Sequence, residues 1–320
     1  MKLDEPITIG KLTVRNRLVM PPMQTNKTDA GHVTDELVAY YRERAIGSMP
    51  GIIITEHSCI SWNARAAEEQ LSIATDDMIP EHKRLTDAIH EGGCKAFVQL
   101  NHAGSNGIDE SVSASNVNIP IKKLFKKPRE LSIPEILAIE EAFAEAARRA
   151  VKAGYDGVEI HCAHGYLLNQ FYSSMTNQRT DEYGGCMENR LRITVETVNS
   201  VRQAVGGDVP ITVRLGGADY LPGGSKEEDA VQAAILLEKA GVDLLDISGG
   251  MCFFMRPGHM EPGFFSSMTE KIKGEVSIPV LLTGGIKKAE DAEQCHQDKI
   301  LRAKKDRKRS RKKCETLFFL

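Results

Sequence analysis

The fold is decided by the stretch Gly157-Val158-Glu159-Ile160-His161-Cys162-Ala163-His164-Gly165-Tyr166-Leu167-Leu168-Asn169-Gln170-Phe171-Tyr172. Its first four residues form a short apolar run that is typical of a buried strand. Two imidazoles and a phenol follow within six residues, just past the predicted end of that strand. Because ligands bind at the carboxyl ends of strands in parallel α/β folds, we expect His161, His164 and Tyr166 to lie in a functional site.

Similar strand-like segments recur along the chain and alternate with amphipathic helical segments. We predict seven strands, at 17–20, 51–55, 95–100, 157–160, 210–215, 243–247 and 279–282. This alternation predicts parallel strands joined by right-handed crossovers. A chain of 320 residues suits one (β/α)8 barrel, an α/β TIM-barrel fold, and residues 7–15 are expected to form an N-terminal hairpin that caps its bottom.

The eighth βα unit is not recognised in the sequence, because the pattern ends after Ala292. Residues 295–320 carry ten Lys and Arg against three Asp and Glu, a net charge of +7, whereas residues 1–294 carry −10. We therefore divide the chain into an incomplete barrel, 1–292, and a basic tail, 293–320, that is disordered or out of frame. Apart from residues 317–320, no apolar segment follows, so the predicted barrel is open and exposes two strand edges.

Composition excludes several classes of protein. The first residues lack the apolar segment of a signal peptide, and no apolar run approaches the roughly 20 residues of a membrane span. The seven cysteines are scattered without a CxxC motif, which favours a reducing compartment over a disulfide framework. We expect a cytoplasmic enzyme with neither membrane nor nucleic-acid partners, the basic segment 299–313 being the weak exception.

Four separated motifs resemble the Old Yellow Enzyme family, the NADH:flavin oxidoreductase group that includes ene-reductases and 2,4-dienoyl-CoA reductases. The motifs are Asn16-Arg17-Leu18-Val19-Met20-Pro21-Pro22-Met23, Gln99-Leu100-Asn101-His102-Ala103-Gly104, the stretch from His161 to Tyr166, and the stretch from Asn177 to Gly185. The resemblance covers about residues 1–292. It implies a (β/α)8 barrel that binds FMN.

The resemblance also implies which residues hold the cofactor. Pro22, Met23 and Gln24, which follow the first strand, would lie against the flavin, and Gln99 would bond its pyrimidine edge. Arg214 would lie near flavin N1 and O2, where a fixed cation stabilises the negative charge of the reduced flavin. Gly284 and Gly285, after the seventh strand, are a candidate phosphate cradle, because glycines let backbone N–H groups approach an anion. The family's Gly-Arg pair after the eighth strand is not found.

The same resemblance assigns the chemistry. His161 and His164 would hold the carbonyl oxygen of an enone and stabilise the developing enolate, as an oxyanion hole does. Tyr166 would donate a proton to the α carbon, while flavin N5 delivers hydride to the β carbon. NADH or NADPH would reduce the flavin beforehand. The predicted function is an FMN-dependent NAD(P)H oxidoreductase, a flavoprotein acting on the activated C=C of an α,β-unsaturated carbonyl compound.

Several alternatives stay open from the sequence. The spacing of His161 and His164 also suits a metal site, but no third ligand with metal spacing is evident, so no metal is predicted. The missing eighth unit favours an impaired barrel remnant that does not retain FMN. An aldolase-like barrel is disfavoured because no lysine stands convincingly at a strand end. The physiological substrate, the choice between NADH and NADPH, and the oligomeric state, including a homo-oligomer, stay open.

Overall fold

The computed structural model describes residues 2–47, 49–117, 127–295 and 316–319. In chain order the strands are β1 (Ile7–Ile9), β2 (Leu12–Val14), β3 (Leu18–Met20), β4 (Ile52–Cys59), β5 (Lys95–Asn101), β6 (Val112–Ser113), β7 (Arg129–Glu130), β8 (Gly157–Cys162), β9 (Ile211–Ala218), β10 (Leu244–Gly249), β11 (Val280–Leu282) and β12 (Thr316–Phe319). The helices are α1 (Asp35–Ala45), α2 (Ile79–Glu91), α3 (Ile133–Lys152), α4 (Leu167–Tyr172), α5 (Met187–Val205), α6 (Glu227–Lys239) and α7 (Ser266–Glu275). Residues 289–295 are also helical.

Eight parallel strands close into a barrel, in the spatial order β3, β4, β5, β8, β9, β10, β11 and β12, with β12 beside β3. Each of the seven predicted strands is present, and the α/β barrel class is confirmed. The long strands are buried over almost their whole length, because helices cover the outer face of the barrel and side chains fill its interior. The strands therefore direct their carboxyl ends to one face of the barrel.

The expectation that the eighth strand is missing is corrected. Thr316 pairs with Val280 of β11, and Phe318 pairs with Leu18 of β3, so the strand 316–319 closes the barrel. Four residues suffice because the neighbouring strands are themselves only three residues long. Most of the basic tail lies outside the described residues, so its proposed frame shift stays a hypothesis.

The predicted hairpin is β1 paired with β2 in antiparallel register, and it closes the bottom of the barrel as expected. Ile7, Ile9 and Val14 are buried against residues of the barrel interior, among them Phe97 and Leu244. This small core plugs the amino-terminal end of the strands. The barrel is consequently accessible to a ligand from its carboxyl end.

Strand β4 is longer than predicted, and this changes the position of a histidine. The prediction stopped at Thr55 because polar residues follow, whereas the strand runs to Cys59 with a register shift against β5 between Thr55 and Ser58. Glu56 and His57 are therefore buried within the strand instead of lying in the loop after it. In the part of the chain that is described, no helix is long and apolar enough to cross a membrane.

Candidate active site

A cavity of about 520 Å³ opens at the carboxyl ends of the barrel strands. It is lined by all ten residues proposed from the sequence: Pro22, Met23, Gln24, Gln99, His161, His164, Tyr166, Arg214, Gly284 and Gly285. Six further residues complete the lining: Pro21, His57, Ser248, Phe254, Thr283 and Ile286. Residues from seven different segments of the chain therefore meet at one site, and their individual roles stay predictions.

Strand register explains why the polar side chains converge. His161 of β8 pairs with Arg214 of β9, which in turn pairs with Asp246 of β10. Residues in register on parallel strands point to the same side of the sheet, so these three side chains form one row facing the barrel interior. In the row below, Gln99 of β5 pairs with Glu159 of β8. The two rows place amide, imidazole and charged groups beneath the cavity.

The turn after β8 brings the two histidines and the tyrosine together. His164 has a φ of 59° and Gly165 a φ of 72°, both in the left-handed region, which is uncommon for a non-glycine residue. This turn folds the chain back at the strand end. The ring centroid of His161 lies 4.9 Å from that of His164 and 5.0 Å from that of Tyr166. Strained backbone of this kind occurs where a site requires a particular side-chain placement.

The three groups have defined protonation states. Burial, the neighbouring His164 and the positive charge of Arg214 together lower the pKa of His161 well below its usual value. Burial and Arg214 do the same to the pKa of His164. Burial raises the pKa of Tyr166 to about 12, because the phenolate would lose its hydration. At neutral pH the site therefore presents two neutral imidazoles and a protonated phenol.

The hydrogen-bonding of the two imidazoles differs. His164 Nε2 lies 2.8 Å from the hydroxyl oxygen of Ser248, which fixes the ring against the end of β10. His161 Nδ1 is buried and has no hydrogen-bond partner among the described residues. A buried nitrogen without a partner is costly in a folded protein.

A charge cluster lies at the floor of the cavity. Arg214 Nε is 3.1 Å from Asp246 Oδ2, and both side chains are almost fully buried. Burial and the negative charge of Asp246 raise the pKa of Glu159, so that this carboxyl keeps its proton near neutral pH. Glu159 accepts a hydrogen bond from Gln99 Nε2 at 2.9 Å. Because Glu159 is protonated and neutral, the charges of Arg214 and Asp246 cancel at the floor of the cavity. Arg214 is then the cation at the cavity wall.

The glycine pair after β11 has a conformation that only glycine adopts without strain. Gly284 has a φ of 99° and Gly285 a φ of 68°. A Cβ atom on Gly284 would lie 2.7 Å from the ring of Phe264, so the position also has no room for a side chain. Both glycines line the cavity, and no side chain stands between their backbone and a ligand, which is compatible with a phosphate cradle.

The sequence predicts that His57 lies after the second strand and shapes the pocket, and the residue does line the cavity, but from within β4. No role was predicted for Ser248 or Asp246. Ser248 could have been found from the alternation of inward-facing residues, since it lies two residues beyond Asp246 on β10. Within the described ranges, no group of three or more His, Cys, Asp or Glu side chains is placed to hold a metal ion.

The sequence of this chain is similar to those of known oxidoreductases. Residues 2–301 match the model of the NADH:flavin oxidoreductase / NADH oxidase family. The chain is 39% identical to an NADH oxidase of Thermoanaerobacter brockii over 296 residues, which are 89% of this chain and 45% of that protein. A "Metal reductase" of Desulforamulus reducens is 37% identical over 302 residues. The chain spans about half the length of these curated relatives.

Solved structures agree with the sequence comparisons. A 2-naphthoyl-CoA reductase in complex with 2-naphthoyl-CoA superimposes with a TM-score of 0.87 at 27% identity, covering 99% of this chain and 50% of that one. Morphinone reductase in complex with tetrahydroNAD superimposes with a TM-score of 0.80 at 26% identity, covering 99% and 86%. The resemblance inferred from the four motifs is confirmed. This chain belongs to the NADH:flavin oxidoreductase / NADH oxidase family, an FMN-binding family of oxidoreductases.

Proposed function

We propose that this protein is an FMN-dependent NAD(P)H oxidoreductase that transfers hydride through the flavin to the activated C=C of an α,β-unsaturated carbonyl compound. The observation that carries the proposal is the convergence of His161, His164 and Tyr166, with ring centroids about 5 Å apart, on a cavity that Arg214 also lines. Two neutral donors and one protonated phenol are the set of groups that reduction of an enone requires.

The residues present fit a bound FMN. The cavity volume lies within the usual range for small-molecule sites. Arg214 supplies a buried cation, Gln99 an amide, and the backbone at Gly284 and Gly285 a place for the phosphate. Pro22, Met23 and Gln24 would form the wall against which the ring system rests. When bound, FMN would accept hydride from NADH or NADPH and pass it to the acceptor.

The imidazoles of His161 and His164 would bind the carbonyl oxygen of the acceptor. Each neutral imidazole has one N–H group, and two such donors stabilise negative charge as it develops on that oxygen. Their lowered pKa values keep them neutral, so the site carries no imidazolium to form a competing ion pair with Asp246. Tyr166 keeps its proton at neutral pH and would donate it to the α carbon.

The alternative, a barrel remnant that does not retain FMN, depended on the absence of an eighth strand. Because Thr316–Phe319 closes the barrel between β11 and β3, the main argument for that alternative is lost. The glycine pair at the end of β11 is supported by a neighbouring strand on each side. We therefore prefer the proposal of an FMN-dependent enzyme over that of a barrel remnant.

The absorbance spectrum of the purified protein tests the proposal. We expect flavin bands near one equivalent per chain, bleached anaerobically by NADH or NADPH, and restored by a simple enone such as 2-cyclohexenone. A colourless, soluble protein that gains no flavin bands with added FMN would overturn the proposal. Flavin bands restored by oxygen but by none of a panel of enones would show a flavin oxidase and reject the enone reductase.

A further inference from the structure

We propose that Glu56 and His57, adjacent residues of β4, are positioning residues that together hold the cofactor loop, residues 21–27, in place. The loop carries Met23 and Gln24, which line the cavity. The inference rests on the proposed function, because its main consequence is measured on bound FMN. Neither residue belongs to the set of groups assigned to hydride or proton transfer.

Glu56 holds the backbone of the loop. Its side chain is fully buried, and Oε2 accepts a hydrogen bond from the backbone N–H of Thr25 at 2.9 Å. The other oxygen, Oε1, is buried without a hydrogen-bond partner among the described residues. Burial of a carboxyl group is costly unless hydrogen bonds compensate it, and the hydrogen bond that the structure shows to this carboxyl comes from the loop amide of Thr25. Glu56 therefore fixes the height of Thr25 above the strand.

His57 holds the neighbouring residue of the loop, and its tautomer is set by geometry. Gln70 has a fixed amide orientation, because its Oε1 accepts from the backbone N–H of Ala66 at 2.5 Å and its Nε2 donates to the carbonyl of His57 at 3.3 Å. The same Nε2 lies 3.0 Å from His57 Nδ1, so this nitrogen must accept. Asn101 Nδ2 approaches Nδ1 from 3.2 Å as a second donor.

Since Nδ1 is the acceptor, the proton of His57 resides on Nε2. That N–H is 3.3 Å from Gln24 Oε1 and donates to it. Gln24 Nε2 in turn donates to Asn26 Oδ1 at 3.0 Å, so the contact continues along the loop. Burial and Arg214 lower the pKa of His57 to about 4, which keeps the ring in this neutral form at physiological pH.

The two contacts form a clamp of opposite polarity. Glu56 accepts a hydrogen bond from the backbone N–H of Thr25, and His57 donates one to the side chain of Gln24. Apolar packing contributes little at this point, because Met23 is 61% exposed and Gln24 is also exposed. Together with the contacts of Lys27 with Thr34 and Glu36, the clamp therefore holds the loop at the cavity, and with it sets how tightly and at what potential the flavin is held.

The decisive experiment compares paired substitutions at each position. Glu56→Leu and His57→Leu remove the acceptor and the donor, whereas Glu56→Gln keeps an acceptor oxygen and His57→Gln keeps a terminal N–H. For each variant, FMN is titrated onto the apoprotein by fluorescence quenching, and the two-electron midpoint potential is measured. We expect each leucine variant to raise the FMN Kd about tenfold or more and to shift the potential. The glutamine variants should stay within about threefold of wild type.

A matched control separates positioning from general destabilisation. His82 is also a fully buried histidine whose pKa is lowered to about 4, but it bonds Tyr155 and Ser72 and does not line the cavity. His82→Gln should lower the melting temperature without changing the FMN Kd or the potential. Folded leucine variants at 56 and 57 with wild-type Kd and potential would overturn the inference.

Amide hydrogen exchange of the loop tests the clamp independently of the cofactor. In the apoprotein, Glu56→Leu should speed exchange of the Thr25 amide at least tenfold, while Glu56→Gln should preserve most of its protection. Unchanged Thr25 exchange in Glu56→Leu would refute the clamp even if the variant bound FMN poorly. A wild-type chain that binds no FMN but shows the exchange effect would refute the proposed function and leave the clamp standing.

Discussion

The two sides of the barrel are built differently. The long-strand side, β4, β5, β8 and β9, has strands of six to eight residues. The seam, β11, β12 and β3, has strands of only three or four residues. All the imidazole, amide, phenol and guanidinium groups proposed for chemistry come from the long-strand side or the turns directly after it. The seam contributes backbone at Gly284 and Gly285 and the prolines after β3.

The difference teaches that the two imidazoles and the phenol have a structural support separate from the backbone that would hold the phosphate. A long strand buried on both faces holds a side chain rigidly, because register with two neighbours fixes it in height and direction. The short strands of the seam do not hold side chains as rigidly, but they suffice to present backbone N–H groups. Loss of a side chain from the turn after β8 should impair chemistry while the flavin stays bound. Damage at the seam should release the flavin while leaving the chemistry of the remaining holoprotein intact.

The largest effect is expected from Tyr166→Phe. Loss of the proton donor should lower the rate of enone reduction by about 10²–10⁴-fold, while NAD(P)H reduces the flavin at nearly the wild-type rate. Stopped-flow measurement of the two half-reactions would show that only enone reduction is slowed. Tyr155→Phe is the control, because Tyr155 is a buried phenol that contacts His82 and Thr55 but does not line the cavity. Equal slowing of both half-reactions by Tyr166→Phe would contradict the assigned role.

A somewhat smaller effect is expected from the two imidazoles. His161→Ala should lower the rate of enone reduction by about 10²–10³-fold, since one of two donors to the developing oxyanion is lost. His164→Ala should have a comparable effect and should also free Ser248, its partner at 2.8 Å. FMN content, measured by absorbance, should stay near wild type in both. Loss of flavin from either variant would break the separation between the two sides.

At the seam, we expect Leu317→Pro to lower FMN binding and to leave the chemistry of the bound flavin unchanged, the opposite of the effect of the histidine variants. β12 has a neighbour on each side, so a proline there removes an N–H from the ladder and should destabilise the closure of the barrel. The variant should lose most of its FMN and aggregate more readily, because the edges of β11 and β3 become accessible. Its remaining holoprotein should show wild-type ratios of the two half-reactions. Leu317→Val is the control, and full FMN retention by the proline variant would show that closure is dispensable.

The sequence predicted the long-strand side far better than the seam, for a physical reason. Strands buried on both faces read as continuous apolar runs, and polar residues just past a strand end mark the site, so His161 was expected at the cavity that it lines. Arg214 was expected there only from the family resemblance. Strand 316–319 was missed because four residues carry no periodicity. The prediction also ended β4 at Thr55, since nothing in the sequence shows that Glu56 finds Thr25 as its partner. Pairings between distant residues of this kind become visible only in the folded chain.

The smallest expected effect is the acid sensitivity of the long-strand side, where α2 packs on β5 and buries His82. Burial lowers the pKa of His82 to about 4, whereas in the unfolded chain it is near 6.5. Below pH 6.5 the unfolded chain therefore binds a proton that the folded chain does not. The stability that neutral His82 contributes is fully present above pH 6.5 and falls by about 2 kcal/mol by pH 5.

His82→Gln should remove this part of the pH dependence. Urea unfolding at pH 7.5 and pH 5 should show a smaller loss of the free energy of unfolding for His82→Gln than for wild type. The half-buried His259, substituted in the same way, should leave the wild-type difference unchanged. If both variants kept the full pH dependence, the buried histidine would not be its source. The acid sensitivity would then have to be assigned to other buried histidines whose pKa burial lowers, with His102, lowered to about 4, as the first to examine.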